Sequence, residues 1–321
     1  MKVAVLGGTR FIGRAIVERL ASDGHNLLVA HRGVVEPDDF PTVQHLHVER
    51  KDLVGARDQI ARFDPEAVVD TIAMTRPSAR IALEAVPGDL RRVVLSSVDV
   101  YRAYGALLRN EETDLVPFSE EDPVRLERYP LKGMMPGGDD YEKLDVEEEY
   151  LGAGAIVCRL PMVYGERDGQ RRENFILRRV RAGRKQIPIG AGNWLSSRGY
   201  VRDIARGVVA ALGSGVRREV FNLCERSTPS MALWSRMIVE AAGSDAQLVR
   251  VPDEMLPDDL GETGTIRQHL LADASKARAV LGYTDTDPME ALRASVAWHL
   301  ANPPADDAFD PEPDERALAA V

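Results

Sequence analysis

The chain has 321 residues, 44% of them hydrophobic and 29% charged, a balance that supports a large buried core and excludes a disordered or collagen-like chain. Its 41 Lys and Arg stand against 51 Asp and Glu for a net charge of −10, so the summed field disfavours nucleic acid or an anionic membrane as the main partner. No apolar run approaches the ~18 residues of a membrane span, and Met1-Lys2 leads straight into Val3-Ala4-Val5-Leu6 with no room for a signal peptide; the expectation is a cytoplasmic protein with no membrane partner. Continuous apolar runs bounded by polar, Gly or Pro residues predict strands at Lys2-Leu6, Asn26-Ala30, Val43-Val48, Ala67-Ile72, Arg92-Ser96 and Ala155-Arg159. Between the first two, Ile12, Ile16 and Leu20 recur every four residues and predict a helix that packs back on the sheet. Residues 102–139 are rich in charge, Pro and Gly and read as a loop over a site. Helices follow around Asn174-Arg181, Ile204-Leu212, Met231-Ala242 and Pro288-Ala301.

This order predicts an α/β chain: a Rossmann-like doubly wound parallel sheet with a smaller mixed α/β C-terminal substrate lobe. The expected division is 1–165 for the dinucleotide-binding domain and 166–302 for the lobe, with some chain crossing back. Residues 303–321, where Asp306, Asp307, Asp310, Glu312, Asp314 and Glu315 face Arg316 alone, are expected to form a disordered acidic tail. Cys158 and Cys224 lie in apolar runs and read as small buried thiols. The basic run from Arg171 to Lys185 reads as the wet face of an amphipathic helix, and Glu147, Glu148 and Glu149 as an exposed face of another. His45 and His47 alternate along a strand with no further His or Cys spaced to complete a metal site, so no metal is expected.

Directly after the first strand comes Gly7-Gly8-Thr9-Arg10-Phe11-Ile12-Gly13 and then the helix. Strand, Gly-rich turn and helix N-terminus together present bare backbone N–H groups and a positive dipole end to a pyrophosphate. The turn resembles the signature of the short-chain dehydrogenases/reductases, and Phe11-Ile12-Gly13 resembles their extended epimerase/dehydratase branch. Arg10 replaces that family's middle Gly, as in atypical members similar to the chloroplast stem-loop-binding and isoflavone-reductase-like proteins. An NAD-selective second strand usually ends in a carboxylate for the ribose hydroxyls, but this one ends Ala30-His31-Arg32-Gly33 with no acid before Glu36. Arg32 and Arg10 can fork a 2′-phosphate, which favours NADP over NAD. The resemblance further implies Asp52 near the adenine and Ala73 and Met74 beside the cofactor ribose, with Asp52 equally suited to cap the following helix.

The fifth strand ends Ser96-Ser97-Val98-Asp99-Val100-Tyr101, similar to the family's Ser-rich segment before Val-Tyr. The resemblance makes Ser97 the hydroxyl that hydrogen-bonds the reacting oxygen, with Asp99 a candidate substrate contact. Asp139-Asp140-Tyr141-Glu142-Lys143 resembles the helix of the Tyr-x-x-x-Lys element, with Lys143 as the ribose-binding lysine that lowers the phenol pKa. Asp139 stands where the tyrosine belongs, and Tyr141, two residues from Lys143, would point about 200° away within a helix. Three options for the general acid follow: Tyr141 ahead of the first helical turn, Tyr101 or another tyrosine of the loop, or proton transfer by cofactor and substrate alone.

Arg159-Leu160-Pro161-Met162-Val163-Tyr164-Gly165 resembles the family's segment beside the nicotinamide, which places Pro161 and Met162 along the ring. Tyr200-Val201-Arg202-Asp203 resembles a later family element, but the diphosphate-binding Arg falls at Ser196, with Arg198 close and out of register as a substrate candidate. The closing Asp273-Ala274-Ser275-Lys276 element carries the resemblance to about Pro303. It implies an NADP(H)-dependent oxidoreductase or epimerase/dehydratase acting on a small-molecule substrate, and a homodimer. The alternative is a cofactor-sensing or RNA-associated member without catalysis.

Overall fold

The computed structural model describes residues 1–36, 38–305 and 308–321. Strands β1 (Lys2–Leu6), β2 (Asn26–His31), β3 (Gln44–His47), β4 (Ala67–Asp70), β5 (Arg91–Ser97) and β6 (Ile156–Leu160) fall on the six predicted runs. Helices α1 (Phe11–Ser22), α2 (Arg57–Phe63), α3 (Arg76–Ala85), α4 (Arg102–Leu108) and α5 (Lys143–Gly152) separate them. The remainder holds β7 (Met162–Tyr164), α6 (Asn174–Arg181), β8 (Gln186–Ile189), β9 (Arg198–Tyr200), α7 (Val201–Gly213), β10 (Glu219–Asn222), α8 (Met231–Ala241), β11 (Gln247–Arg250), α9 (Ser275–Leu281), α10 (Pro288–Ala301) and α11 (Glu312–Leu318). Seven strands form one parallel sheet in the order β10-β6-β5-β4-β1-β2-β3, and β8 with β11 and β7 with β9 make two small parallel pairs.

Strand order reverses between β1 and β4, the crevice where doubly wound sheets bind their ligands. Side chains of β1 alternate between two cores because strand residues point to opposite faces. Val3 and Val5 join Ile16, Val17 and Leu20 of α1 and Val208 of α7, whereas Ala4 and Leu6 join Ile60, Ala79, Ala82 and Val146 under α2, α3 and α5. Each fully buried aliphatic side chain contributes about 1.5–3 kcal/mol. Local signals set several helix ends. Thr75 and Ser78 form a reciprocal cap on α3, and Asp287 accepts the amides of Met289 and Glu290 ahead of α10.

Four expectations change. The acidic tail is not disordered throughout: α11 buries Asp314 and Ala317, because Arg179 of α6 donates from Nε to Asp314 Oδ2 at 2.8 Å and also clasps Asp259. The same contact corrects the reading of the basic run, since Arg179 is 1% exposed and Arg184 pairs with Glu315; Asp306 and Asp307 lie outside the described residues. The 102–139 segment opens with α4, and Glu147 is buried against Arg159 at 2.8 Å and Ser96 at 2.6 Å. Cys158 and Cys224 are free and buried, and burial pushes both thiols up to about 12. Among the described residues no helix is long and apolar enough to cross a membrane.

Candidate active site

The phosphate turn is shaped by close packing. A Cβ on Gly13 would collide with the Gly7 carbonyl, and one on Gly8 would come within 2.7 Å of Val17 and Val29, so strand and helix meet only because these positions are bare. Phe11 holds a φ of +36°, a left-handed conformation a bulky residue avoids and one found where a turn is over-determined by its surroundings. Arg10 is the N-cap of α1 but gives it no side-chain bond. The first amides of α1 are thus left without a side-chain cap, as helix N-termini are where a ligand can satisfy them.

A groove of about 360 Å³ runs over this turn, lined by Gly7, Thr9, Arg10, Arg32, Glu49 and Ile72 among others. Arg10 and Arg32 are exposed, and no ion-pair partner joins either among the described residues. Asp52 lies exposed on the short 3-10 helix Arg50–Ala56, while its neighbours Glu49, Arg50 and Leu53 line the groove. Beneath the groove Arg50 Nη1 donates to Asp70 Oδ1 at 3.1 Å, and Tyr150 donates to Asp70 as well. The groove thus rests on a satisfied network that holds the end of β4.

At the carboxyl ends of β4 and β5 the candidate catalytic residues converge. Helix α5 begins at Lys143 with Glu142, not an aspartate, as its N-cap. Tyr141 is therefore outside the helix, and the 200° objection does not apply to it. Its hydroxyl donates to Asp99 Oδ2 at 2.5 Å, and Asp99 Oδ1 is buried with no partner among the described residues. Ser97 accepts the Asp99 amide at 3.2 Å, and its hydroxyl lies within hydrogen-bonding reach of the Asp99 and Tyr141 side chains. Lys143 is buried, donating to the carbonyls of Ala73 at 2.7 Å and Leu95 at 3.0 Å, with its ammonium 6.0 Å from the Tyr141 ring centre.

What bends the chain at Tyr141 is a pair not visible in any motif. Arg125 and Glu142 are both fully buried, 2.9 Å apart, and Glu142 also accepts the amides of Tyr129 and Leu144. Arg125 donates further to the Asp99 carbonyl at 2.6 Å, so one guanidinium ties the loop to both halves of the cluster. Electrostatics follow from burial. It pushes Lys143 down to about 8 against the pull of Asp99, raises Asp99, and raises Tyr141 well above an ordinary phenol with Asp99 adding to the effect.

Other candidates stand apart. Tyr101 is buried against Phe118 and donates to Asn222 at 2.7 Å, so it does not reach the cluster. Met74 lies at the crevice with its carbonyl taking the Glu142 amide, Ile12 sits in the first turn of α1, and Pro161 and Met162 run at the start of β7. Arg198 does not join them: it is fully buried, donates to the Ser196 and Pro229 carbonyls, and lies 4.4 Å from the Trp234 ring centre. Sequence reasoning missed Arg125 and Glu142, and also Glu225, a carboxyl that burial pushes up to about 7 with both oxygens unpartnered among the described residues. Glu is a weak capping type, so nothing at position 142 signalled a cap.

Residues 142–224 match the model of the NAD dependent epimerase/dehydratase family. The chain is 26% identical over 317 residues to the chloroplast stem-loop binding protein of 41 kDa b of Arabidopsis thaliana, covering 92% of this chain and 78% of that one. It is 29% identical over 184 residues to 2′-dehydrokanamycin reductase of Streptomyces kanamyceticus, across 54% of this chain and 47% of the relative. Among solved structures, dTDP-glucose 4,6-dehydratase of Bacillus anthracis in complex with NAD superposes with a TM-score of 0.71 at 17% identity, over 94% of this chain and 97% of the other. That likeness concerns the fold.

Proposed function

We propose that this chain, whose residues 142–224 match the model of the NAD dependent epimerase/dehydratase family, is an NADP(H)-using enzyme that moves a hydride at a carbonyl or carbinol carbon of a sugar-like or other small polar metabolite. The observation that carries this reading is the meeting of Ser97, Asp99, Tyr141 and Lys143 at the crevice beside the phosphate groove. The dinucleotide, when bound, supplies or accepts the hydride. The bare turn from Gly7 to Gly13 fits its pyrophosphate, and Ala73, Met74, Pro161 and Met162 would border its nicotinamide half. Arg10 and Arg32, unpaired at the open groove, suit a 2′-phosphate where the usual ribose carboxylate is missing.

Each catalytic side chain has a part that its surroundings permit. Lys143 spends two of its three N–H donors on carbonyls and keeps one for a ribose hydroxyl. Ser97, whose hydroxyl lies within reach of Asp99 and Tyr141, turns its O–H to the reacting oxygen when substrate enters. Tyr141, its pKa raised by burial and by Asp99, stays protonated and acts as the acid that protonates the oxygen in the reductive direction; Asp99 holds its ring in place until substrate takes over the bond. Asp52 would contribute only from the rim.

A second reading, a cofactor-sensing or RNA-associated protein without catalysis, draws on the relative that binds stem-loops, but the net charge of −10 opposes an RNA partner. Calorimetric titration with NADPH and NADH, repeated on Arg32→Ala, tests the proposal. Tight NADPH binding weakened by that substitution is the expected result. Equal affinity for the two cofactors in both proteins would overturn the NADP preference, and no binding of either would overturn the enzyme reading.

A further inference from the structure

At the outer edge of the sheet, three imidazoles and a carboxylate come together. Strand register pairs His31 of β2 with His47 of β3, and His45 stands two residues earlier on the same face. The segment after β2 brings in Glu36. His31 Nε2 lies 2.8 Å from His45 Nδ1 and 3.6 Å from Glu36 Oε1, and Glu36 also bonds His47 Nε2. One donor atom from each of the four lies within 4.8 Å of all the others. The alternation along β3 supplied only two of them; His31 arrives from the neighbouring strand and Glu36 from the segment after it, where linear spacing carries no signal.

We propose that His31, Glu36, His45 and His47 bind one divalent transition metal ion, with zinc the best fit. Four ligands about 2.0–2.1 Å from a tetrahedral zinc stand roughly 3.3 Å from one another, so the observed donor separations need only small side-chain rotations. Three imidazole nitrogens with one carboxylate oxygen suit zinc and its transition-metal neighbours and are a poor set for magnesium or calcium. Glu36, His45 and His47 are exposed while His31 is buried, which gives the ion both an entry path and a fixed floor. Gly33 shapes the turn between His31 and Glu36: its φ is +73°, a conformation L side chains rarely adopt.

The site also adjoins the groove, because His31 lines it and precedes Arg32. The Gly33 amide donates to His31 Nδ1 at 3.2 Å, so Nε2 carries the ring proton and donates it to His45. A metal on Nε2 moves that proton to Nδ1, and the Gly33 amide must then release the ring. Loading therefore shifts the turn that bears Arg32 and sets a dipositive charge near the proposed 2′-phosphate position. This coupling rests on the dinucleotide reading above; the metal site does not.

The test uses the tag-free full chain titrated with Zn²⁺ alone against a chromophoric chelator. Wild type should take up one ion per chain, and His45→Gln/His47→Gln should weaken uptake by more than about tenfold. Both side chains lie on the exposed edge, so unchanged thermal unfolding of the metal-free variant separates lost ligands from lost fold. Co²⁺ in place of Zn²⁺ should give the intense visible bands of a four-coordinate centre. No saturable uptake by wild type, or equal uptake by the variant, would overturn the site. NADPH titrations of zinc-loaded and chelated protein then read the coupling. Tighter binding with zinc is expected, and equal binding removes the coupling while leaving the site; failure to bind in both states counts against the proposed cofactor alone.

Discussion

The two halves of the molecule treat buried charge differently. In the sheet half each buried carboxylate of the scaffold is matched: Asp70 by Arg50 and Tyr150, Glu147 by Arg159 and Ser96, Glu142 by Arg125 and two amides. In the lobe Glu225 has neither oxygen partnered among the described residues, Glu173 has one unpartnered, and the Tyr164 hydroxyl and Trp194 indole are unpartnered as well. Matched networks hold backbone in one place, since a low dielectric makes every member costly to remove. Unmatched carboxyls respond to burial instead by holding their protons, and Glu173 and Glu225 are both pushed up to about 7. The sheet half is pinned throughout its scaffold, whereas the lobe, beside its own matched clasp of Arg179 on Asp314, keeps two carboxyls that change charge near neutral pH.

The sharpest way to break this contrast is Arg125→Met. It strands Glu142 in the interior and should cost about 3–5 kcal/mol, read by urea unfolding, with Arg125→Met/Glu142→Met recovering much of the loss. A variant as stable as wild type would mean that the pair does not pin the loop. Tyr141→Phe probes the chemistry the pin supports. Turnover should fall by ~10²–10⁴-fold with KM and thermal midpoint little changed, and a fall below tenfold would return the proton to another donor.

A smaller effect should mark the lobe. Below about pH 4.5 the Glu225 carboxyl is protonated in folded and unfolded chain alike. Between there and about 7 the folded chain keeps a proton that the unfolded chain has released, so this contribution to stability drains away as pH rises. The thermal midpoint of wild type measured against Glu225→Gln should reveal that loss across pH 4.5–7, and parallel curves would refute it. Smallest of all is Lys185→Ala, which removes the exposed pair with Asp245, whose side chains are 75% and 78% accessible; it should leave the urea midpoint almost where it stands in wild type.

Local chemistry made much of the fold legible. The apolar runs located the central strands of the sheet, and the predicted helix Pro288-Ala301 is α10 with the same bounds. The phosphate turn was readable because strand, glycines and helix are contiguous. The arrangement around Tyr141 was not, because it depends on Arg125, 17 residues before Glu142 and outside any periodic pattern. Helix α11 escaped for the same reason at longer range: Asp314 reads as one more acid in a polar tail until Arg179, 135 residues away, is brought beside it. Composition reports what a segment can do alone, and both of these segments are ordered by a charge from elsewhere.

The central sheet also ends differently at its two margins. Strand β3 is only four residues long and turns Gln44, His45 and His47 toward water, while on β10 the Asn222 amide is capped by the Glu120 carboxylate at 2.7 Å. An open parallel sheet exposes a row of hydrogen-bonding groups that invites strands of other molecules, and aggregation begins at such rows. Here one margin is short and polar and the other has an amide already occupied. Concentrated solutions should therefore resist growth of the sheet from molecule to molecule, and substitution of apolar residues at Gln44 and His45 would be the way to provoke it.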